Sequence, residues 1–359
     1  MSSLLCGVDL ERWTRIFGQA AGDRSALLTA ALTPALLPGF PFAALLAVSI
    51  ARLPGMRRKI PPLFSPFTTM GWTNYCVMLA LVFSLHGYRQ RCHKVHPAKL
   101  AENSSKSFWN HFFKAHLPAG HYPTRQVLTC RQGQTTGRLP RQDIIIKPDS
   151  SGAGHHLQAF RWNETSGRYE CSDRELKNPQ GLKLKPDELM QHIRSAGVDM
   201  IVEHLEQPRT PLPVCTLRVL TLYIDDQPEL ICAAFLPAPA GSASTAYFDL
   251  DTYLVDMQTN RITEPLSPRS NGRLTGTRLP ELGDIVRTCL HMHSQLREHL
   301  QISWDIVPTA KGPVYLEGNV FPPGCDYKLS IFKNTTNFRY LLNRILGERG
   351  AIYSKAARA

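Results

Sequence analysis

The segment 304–319 has the sequence WDIVPTAKGPVYLEGN and determines how the rest of the chain is interpreted. Two runs rich in β-branched and aromatic residues flank a short stretch that contains glycine and proline. This is the pattern of an antiparallel β-hairpin. With a loop at 309–313, the hairpin register predicts that Val307 faces Tyr315.

The same register brings three oxygen-bearing side chains to one face of the hairpin. Asp305 lies opposite Glu317, and Asn319 shares the face of Glu317 because side chains alternate along a strand. Opposed carboxylates destabilise each other unless a cation lies between them, and oxygen ligands suit Mg²⁺ that is held partly by phosphates. The alternative is an exposed hairpin edge with incidental acids, but the apolar neighbours Ile306 and Leu316 favour a buried hairpin. The pattern therefore predicts a magnesium site.

A second motif, IIIKPDSSGAGHH at 144–156, ends an apolar strand in Lys147 and continues into a loop of small residues. Small residues let backbone N–H groups approach phosphate oxygens, and the lysine adds a positive charge. The motif is neither a Walker loop nor the dinucleotide-binding glycine pattern. His155 and His156 lie within the loop, in reach of a phosphate bound there. On these residues alone, a plain hairpin turn is the simpler interpretation.

The segment 200–206, MIVEHLE, is an apolar strand that becomes polar at its end. Its backbone could pair with the edge of an adenine, and one of its acids could bind ribose hydroxyls. An ordinary edge strand explains the same pattern.

Arg218 occupies an apolar strand, VCTLRVLT at 214–221. It shares a face with Thr216 and Leu220, so it is predicted to lie inside or at a cleft, where an arginine needs an anionic partner. The sequence leaves two kinds of partner open. One is a carboxylate of the hairpin at 304–319, and the other is a carboxylate or phosphate of a substrate.

The order of these motifs resembles that of the ATP-grasp superfamily. A lysine precedes a small-residue loop and is followed by a glutamate-ended strand, a Thr-x-Arg strand, and then Asp and Glu-x-Asn. The segments LEQPRTPLPVCTLRVLTLY (205–223) and WDIVPTAKGPVYLEGNVFPPG (304–324) are most similar to the sugar-transfer-associated branch, which is related to glutamate-ligase-like proteins. The resemblance covers about residues 120–330. It implies an α+β fold whose two lobes clamp ATP.

The resemblance also implies a role for each motif. Lys147 would contact the α- and β-phosphates, and Arg218, the other catalytic residue, would stabilise the reacting phosphoryl and acyl groups. The β- and γ-phosphates would be covered by Ser150, Ser151, Gly152, Ala153 and Gly154. The backbone of Glu203, His204 and Leu205 would hold the adenine, and Glu206 would bind the ribose. Magnesium would be bound by Asp305, Glu317 and Asn319.

The activity implied by the resemblance is an ATP- and Mg²⁺-dependent ligase for a small-molecule carboxylate and an amine, with release of ADP and phosphate. Two alternatives are a phosphotransferase of the same fold that acts on a hydroxyl, and a membrane-associated binding protein with a vestigial ATP site.

The sequence departs from the superfamily pattern in two respects. A second phosphate-binding cation is expected before the lysine strand, and both Arg125 and Arg131 are candidates. The segment 236–253 lacks the glycine-rich, asparagine-bearing stretch of the branch, which leaves the substrate open.

Composition limits the kinds of partner. The chain has 359 residues, with 41 Lys and Arg against 29 Asp and Glu, giving a formal charge of +12. This surplus of positive charge fits anionic substrates or an anionic surface, while the absence of an arginine-rich or aromatic-interleaved stripe argues against nucleic acid.

Nine cysteines are scattered without a CxxC pair. This pattern predicts neither a disulfide framework nor a zinc site, and it favours a reducing, cytoplasmic location.

Three regions are predicted: an N-terminal, mainly helical and apolar region at 1–95, a first ATP-grasp lobe at 96–199 and a second lobe at 200–359. The N-terminal region contains uncharged stretches of a length that could span a bilayer, but prolines and polar residues interrupt them. A soluble helical lobe is the expectation. Peripheral membrane contact through 26–85 and a hairpin that spans the membrane are the two alternatives.

Overall fold

A computed structural model describes residues 105–150, 157–171, 182–224, 227–238, 252–265, 272–279 and 281–320. The predicted N-terminal helical region at 1–95 lies outside these residues, and so do Ser151, Gly152, Ala153, Gly154 and both histidines of the small-residue loop. Among the described residues, no helix has the length and apolar character needed to cross a membrane.

One of two seven-stranded sheets, sheet A, carries the predicted hairpin. Its first strand is parallel to its neighbour, and all the other pairs are antiparallel. In spatial order it contains β1 (Tyr122–Pro123), β14 (Gly312–Asn319), β13 (Gln301–Thr309), β9 (Cys215–Ile224), β10 (Gln227–Pro237), β11 (Tyr253–Asp256) and β12 (Arg261–Pro265).

A second seven-stranded sheet, sheet B, is antiparallel throughout and is built from the segment between β1 and β9. In spatial order it contains β3 (Gln134–Gly137), β2 (Gln126–Arg131), β8 (Met200–His204), β4 (Ile144–Pro148), β5 (Gln158–Asn163), β6 (Arg168–Cys171) and β7 (Lys183–Leu184). The predicted α+β class is confirmed by these two sheets and their flanking helices.

Among the described residues, three helices cover the sheets: α1 (Lys106–His116), α2 (Pro186–Arg194) and α3 (Leu282–Ser294). Leu189 and Ile193 of α2 join the core of sheet B, where they pack with Ile144 and Ile146. Helices α1 and α3 instead belong to the core of sheet A. Helix α1 therefore precedes sheet B in sequence but packs against the other sheet.

Helix α1 begins where two hydrogen-bond acceptors meet its N-terminus. The side chain of Ser105 caps the helix by accepting from the N–H of Phe108 at 3.0 Å. The carboxylate of Asp149, which directly follows β4, accepts from the N–H of Ser107 at 2.8 Å. These contacts join the end of the lysine strand to the start of α1.

The hairpin of β13 and β14 differs from its predicted register at one pair. Val307 is paired with Val314, not with Tyr315, because Thr309 is paired with Gly312 and the turn is shorter than predicted. A bulge then shifts the register by one residue, so that Asp305 faces Glu317 as predicted.

Candidate functional site

Asp305 is at the centre of a charged cluster on the hairpin face of sheet A. Its neighbour on β9 is Arg218, whose Nε and Nη2 donate to Oδ1 and Oδ2 at 2.6 and 2.8 Å. Asn319 on β14 also donates through Nδ2 to Asp305 Oδ2, at 3.2 Å. Asp305 is thus held from both neighbouring strands, and its bidentate pair with Arg218 is a geometry that strengthens such contacts.

The sequence left the partner of Arg218 open between a carboxylate of the hairpin and a carboxylate or phosphate of a substrate. Of the partners left open by the sequence, Asp305 is the one observed. The two residues are opposed in the sheet register, so the pair follows from strand neighbours sharing a face.

Glu317 receives its counter-ion from α1. Lys106 Nζ lies 3.9 Å from Glu317 Oε2, and only 10% of the lysine side chain is exposed. The approach is possible because β1 pairs only with Val314 and Tyr315. Among the described residues, β14 is therefore the sheet edge at Glu317, and α1 lies beside that edge.

Sheet B contributes a buried ion pair on the face opposite α2. Lys147 Nζ of β4 lies 2.7 Å from Glu203 Oε2 of β8, with side-chain exposures of 8% and 1%. Glu203 Oε1 is buried without a hydrogen-bond partner among the described residues. A buried pair of this kind needs both members, because removing one leaves an uncompensated charge.

The pKa values of Glu317 and Lys147 depend on charged residues of both sheets. Burial alone would raise the pKa of Glu317, but Lys106, Lys147 and Arg218 outweigh burial and hold that pKa below its usual value. Burial likewise disfavours the charge of Lys147, yet Glu203 and then Glu317 raise the pKa of this lysine above its usual value. The three cations and the acids therefore form one electrostatic cluster.

Two further members of the cluster, Lys106 and Asp305, have pKa values displaced by burial. Burial lowers the pKa of Lys106, and Glu317 opposes this effect. Burial raises the pKa of Asp305, and Arg218 opposes it by favouring the ionised form.

The segment predicted to hold adenine lies at the end of β8. The N–H groups of His204 and Leu205 donate to the carbonyl oxygens of Arg125 and Asp143, each at 3.0 Å. Both donors are therefore used within the protein. Glu206, the predicted ribose ligand, accepts from Arg125 Nε at 3.2 Å.

A buried cation that was not among the sequence candidates, Lys106, lies near Lys147 and Glu317. Of the two candidates named from the sequence, Arg125 pairs with Glu206 and Arg131 is exposed at the end of β2. Lys106 instead lies in the same charged cluster as Lys147. Sequence reasoning missed it because its position depends on the docking of α1, although the Ser105 cap and the apolar spacing of the helix are visible in the sequence.

The residues of the cluster fit a hard divalent cation by donor type. Two facing strands supply two carboxylates and an amide oxygen, from Asp305, Glu317 and Asn319. Oxygen atoms of these kinds are ligands that bind Mg²⁺. Each carboxylate has about four lone-pair sites, so Asp305 can keep a contact with Arg218 while binding a cation. Within the described ranges, no group of three or more His, Cys, Asp or Glu side chains forms a metal cage. The set is thus an open one that needs further ligands.

The small-residue loop is described only in part. Ser150 is exposed directly after β4 and Asp149, while Ser151, Gly152, Ala153 and Gly154 lie outside the described residues. Their predicted contacts with phosphate remain predictions.

The chain matches no protein-family model and no curated protein. Solved structures match it at low identity. An L-amino acid ligase from Bacillus licheniformis has 10% identity and a TM-score of 0.39, over 68% of this chain and 47% of that one. A VanG D-Ala:D-Ser ligase from Enterococcus faecalis has 12% identity and a TM-score of 0.40, over 78% and 69%. The ATP-grasp ligase PsnB, solved with Mg and ADP, has 16% identity and a TM-score of 0.32, over 75% of each chain.

The matched part spans less than half of the L-amino acid ligase. These likenesses concern the fold alone and carry no argument about reaction or substrate. In the structure itself, the lysine strand β4 lies in sheet B, and the arginine strand β9 and the carboxylate strands β13 and β14 lie in sheet A.

Proposed function

We propose that this protein is an ATP- and Mg²⁺-dependent ligase that activates a carboxylate as an acyl phosphate and joins it to an amine. The observation that carries the proposal is that Lys106 and Arg218 pair with Glu317 and Asp305 of the hairpin, while Lys147, paired with Glu203, also helps to hold the pKa of Glu317 below its usual value. Three cations suit a polyphosphate, and two carboxylates with an amide suit its metal ion.

The ion pairs of the cluster explain how buried cations are kept ready for phosphate. Lys147 is compensated by Glu203, and Arg218 by Asp305. A lysine has three donors and an arginine five, so each can add a phosphate contact without losing its acid. Lys106, at 3.9 Å from Glu317, has the longest of the three contacts and the one most readily exchanged for a phosphate oxygen.

In the proposed reaction, a carboxylate oxygen of the substrate attacks the γ-phosphorus, and the bond from that phosphorus to the β,γ-bridging oxygen breaks. ADP takes the electron pair of the broken bond. An amine then attacks the acyl carbon and forms the carbon–nitrogen bond, and its proton passes to solvent. The bond from the acyl carbon to the phosphate oxygen breaks, and phosphate leaves with the electron pair of that bond. When bound, Mg²⁺ would neutralise charge on the phosphates.

The chain's own residues would act by position and charge. Lys106 and Lys147 would hold the phosphate chain, and Arg218 would direct its guanidinium toward the transferred group while Asp305 fixes its orientation. Glu206 would hold the ribose of the nucleoside, because its carboxylate can accept from a hydroxyl while it keeps its contact with Arg125. Fixed charges aimed at developing charge are the main source of catalysis in phosphoryl transfer.

The test is a substrate screen in which carboxylates and amines are supplied in pairs with ATP and Mg²⁺. We expect ADP and phosphate to form only when both substrates are present, with a condensed product visible by mass spectrometry. Formation of AMP and pyrophosphate would contradict the acyl-phosphate scheme. A phosphorylated product formed without an amine would identify a phosphotransferase instead.

A further inference from the structure

The indole of Trp109 lies directly on Gly318, the residue between Glu317 and Asn319. A Cβ atom built on Gly318 would approach three carbon atoms of the indole to 2.6, 2.8 and 2.9 Å. Real Cβ atoms essentially never show contacts below 3.0 Å. Glycine is needed at this position because the ring occupies the space of a side chain.

The ring and the oxygen donors lie on opposite faces of one short strand segment. Because side chains alternate along a strand, Gly318 faces the core with its partner Trp304, while Glu317 and Asn319 project to the other face. In the described part of the chain, β14 at this point has a neighbouring strand on one side only. Hydrogen bonds to β13 fix one side, and the contact with Trp109 fixes the core face.

Trp109 is itself held firmly. It is 2% exposed, and its ring lies edge-on to Trp304, with centroids 5.7 Å apart. Trp304 Nε1 donates to Thr221 Oγ1 at 2.9 Å, which fixes that second indole. A rigid surface thus lies behind the strand segment that carries Glu317 and Asn319.

We propose that Trp109 is a positioning residue for the metal ligands Glu317 and Asn319. By pressing on Gly318, the indole sets the distance of these two donors from Asp305 across the hairpin. The inference rests on the proposed function, because it assigns a metal ion to this donor set. It adds α1, which also supplies Lys106, to the elements that build the site.

The test measures binding of Mn²⁺ in the presence of ADP, by electron paramagnetic resonance of free Mn²⁺, together with unfolding in urea. Trp109→Ala is expected to weaken Mn²⁺ binding about 10- to 100-fold, the effect usual for residues that orient metal ligands. Trp109→Phe keeps an aromatic surface and is expected to recover most of that loss. The matched control is Phe112→Leu, which also shortens a buried ring of α1 but leaves the contact with Gly318.

A second comparison tests the contact from the opposite side. Gly318→Ala is expected to weaken Mn²⁺ binding in the wild-type background, because its methyl group displaces the strand from the indole. In combination with Trp109→Leu, which removes the ring, the same Gly318→Ala change is expected to have little further effect on Mn²⁺ binding. Equal losses in both backgrounds would overturn the inference.

The outcomes separate this inference from the proposed function. If the wild-type protein binds neither Mn²⁺ nor ADP, the proposed function fails and the inference fails with it. If the wild-type protein binds both, and Trp109→Ala affects Mn²⁺ affinity no more than Phe112→Leu at equal loss of stability, Trp109 is an ordinary core residue and only the inference is overturned.

Discussion

Arg218 on β9 and Asp305 on β13 are directly opposed in the register of sheet A and share two hydrogen bonds of 2.6 and 2.8 Å. A residue expected to contact substrate is therefore already paired with a residue expected to bind metal. The pair couples the two halves of the proposed site. A displacement of Asp305 is therefore expected to displace the guanidinium of Arg218 as well.

Arg218→Lys tests this coupling. The substitution keeps the positive charge but loses the two-pronged contact with Asp305. We expect kcat to fall roughly 10- to 1000-fold, about 1.4 to 4 kcal/mol of transition-state stabilisation, with the Kd for ATP nearly unchanged. Steady-state ADP release and equilibrium ATP binding measure the two effects. Arg161→Lys, at an exposed arginine of β5, is the control, and normal activity in the folded fraction of Arg218→Lys would identify a purely structural ion pair.

Asp305→Asn and Glu317→Gln are each expected to abolish turnover while the protein remains folded. Each change removes a carboxylate from the proposed metal site, and it also removes the counter-ion of Arg218 or Lys106. We therefore expect the free energy of unfolding to fall by about 1–3 kcal/mol. Activity at limiting Mg²⁺ and urea unfolding are the measurements. Glu164→Gln, the same chemical change at an exposed site, should alter neither, and full activity in either site variant would refute the metal assignment.

Substitutions of Lys147 and Glu203 can separate the effect of this ion pair on stability from its effect on ATP binding. Lys147→Met leaves Glu203 buried without its cation, and we expect a loss of about 3–5 kcal/mol in the free energy of unfolding. Adding Glu203→Leu should restore most of this stability, because the pair is then replaced by apolar groups. ATP binding should stay weak in both variants. Recovery of ATP affinity along with stability would contradict a phosphate contact by Lys147.

Tyr169 in the core of sheet B gives a pH-dependent test. Burial raises the pKa of its hydroxyl to about 12, and the hydroxyl donates to the carbonyl oxygen of Pro140. The native state therefore keeps this proton above pH 10, while the unfolded chain releases it. The stabilisation is complete below the unfolded pKa and is lost as pH rises through the folded one.

We therefore expect the stability advantage of the wild type over Tyr169→Phe to shrink by about 1.4 kcal/mol between pH 8 and pH 11. Urea unfolding of both proteins at the two pH values measures the difference. A gap that does not change with pH would show that Tyr169 ionises as easily in the native state as in the unfolded chain.

Most strands of the site were predictable because they are continuous apolar runs. The apolar strands predicted within 144–156 and 200–206 correspond to β4 and β8. The pairing of Asp305 with Glu317 was also predicted, but it is correct only because two differences from the predicted hairpin cancel. The true turn is shorter than predicted, and the bulge restores the expected partner. A local sequence pattern does not specify such a bulge, because its position depends on packing across the whole sheet.

The contribution of α1 could not be predicted from local signals. Ser105 and the apolar spacing that follows indicate a helix, yet nothing near Lys106 in sequence indicates that it lies beside Glu317. The same holds for Trp109 and Gly318. Both contacts join opposite ends of the described chain, and they depend on α1 packing with sheet A although sheet B follows it in sequence.

The return of the chain to sheet A after completing sheet B has a consequence during synthesis. The segment at 126–204 leaves and re-enters at adjacent points, since the N–H of His204 donates to the carbonyl oxygen of Arg125 at 3.0 Å. Sheet B can therefore close while the ribosome is still translating the rest. Helix α1 must wait for β14, roughly 10 to 40 s at about 5–20 residues per second. During that interval the aromatic residues of α1 cannot pack against β13 and β14, so this part of the core forms only after both strands have been made.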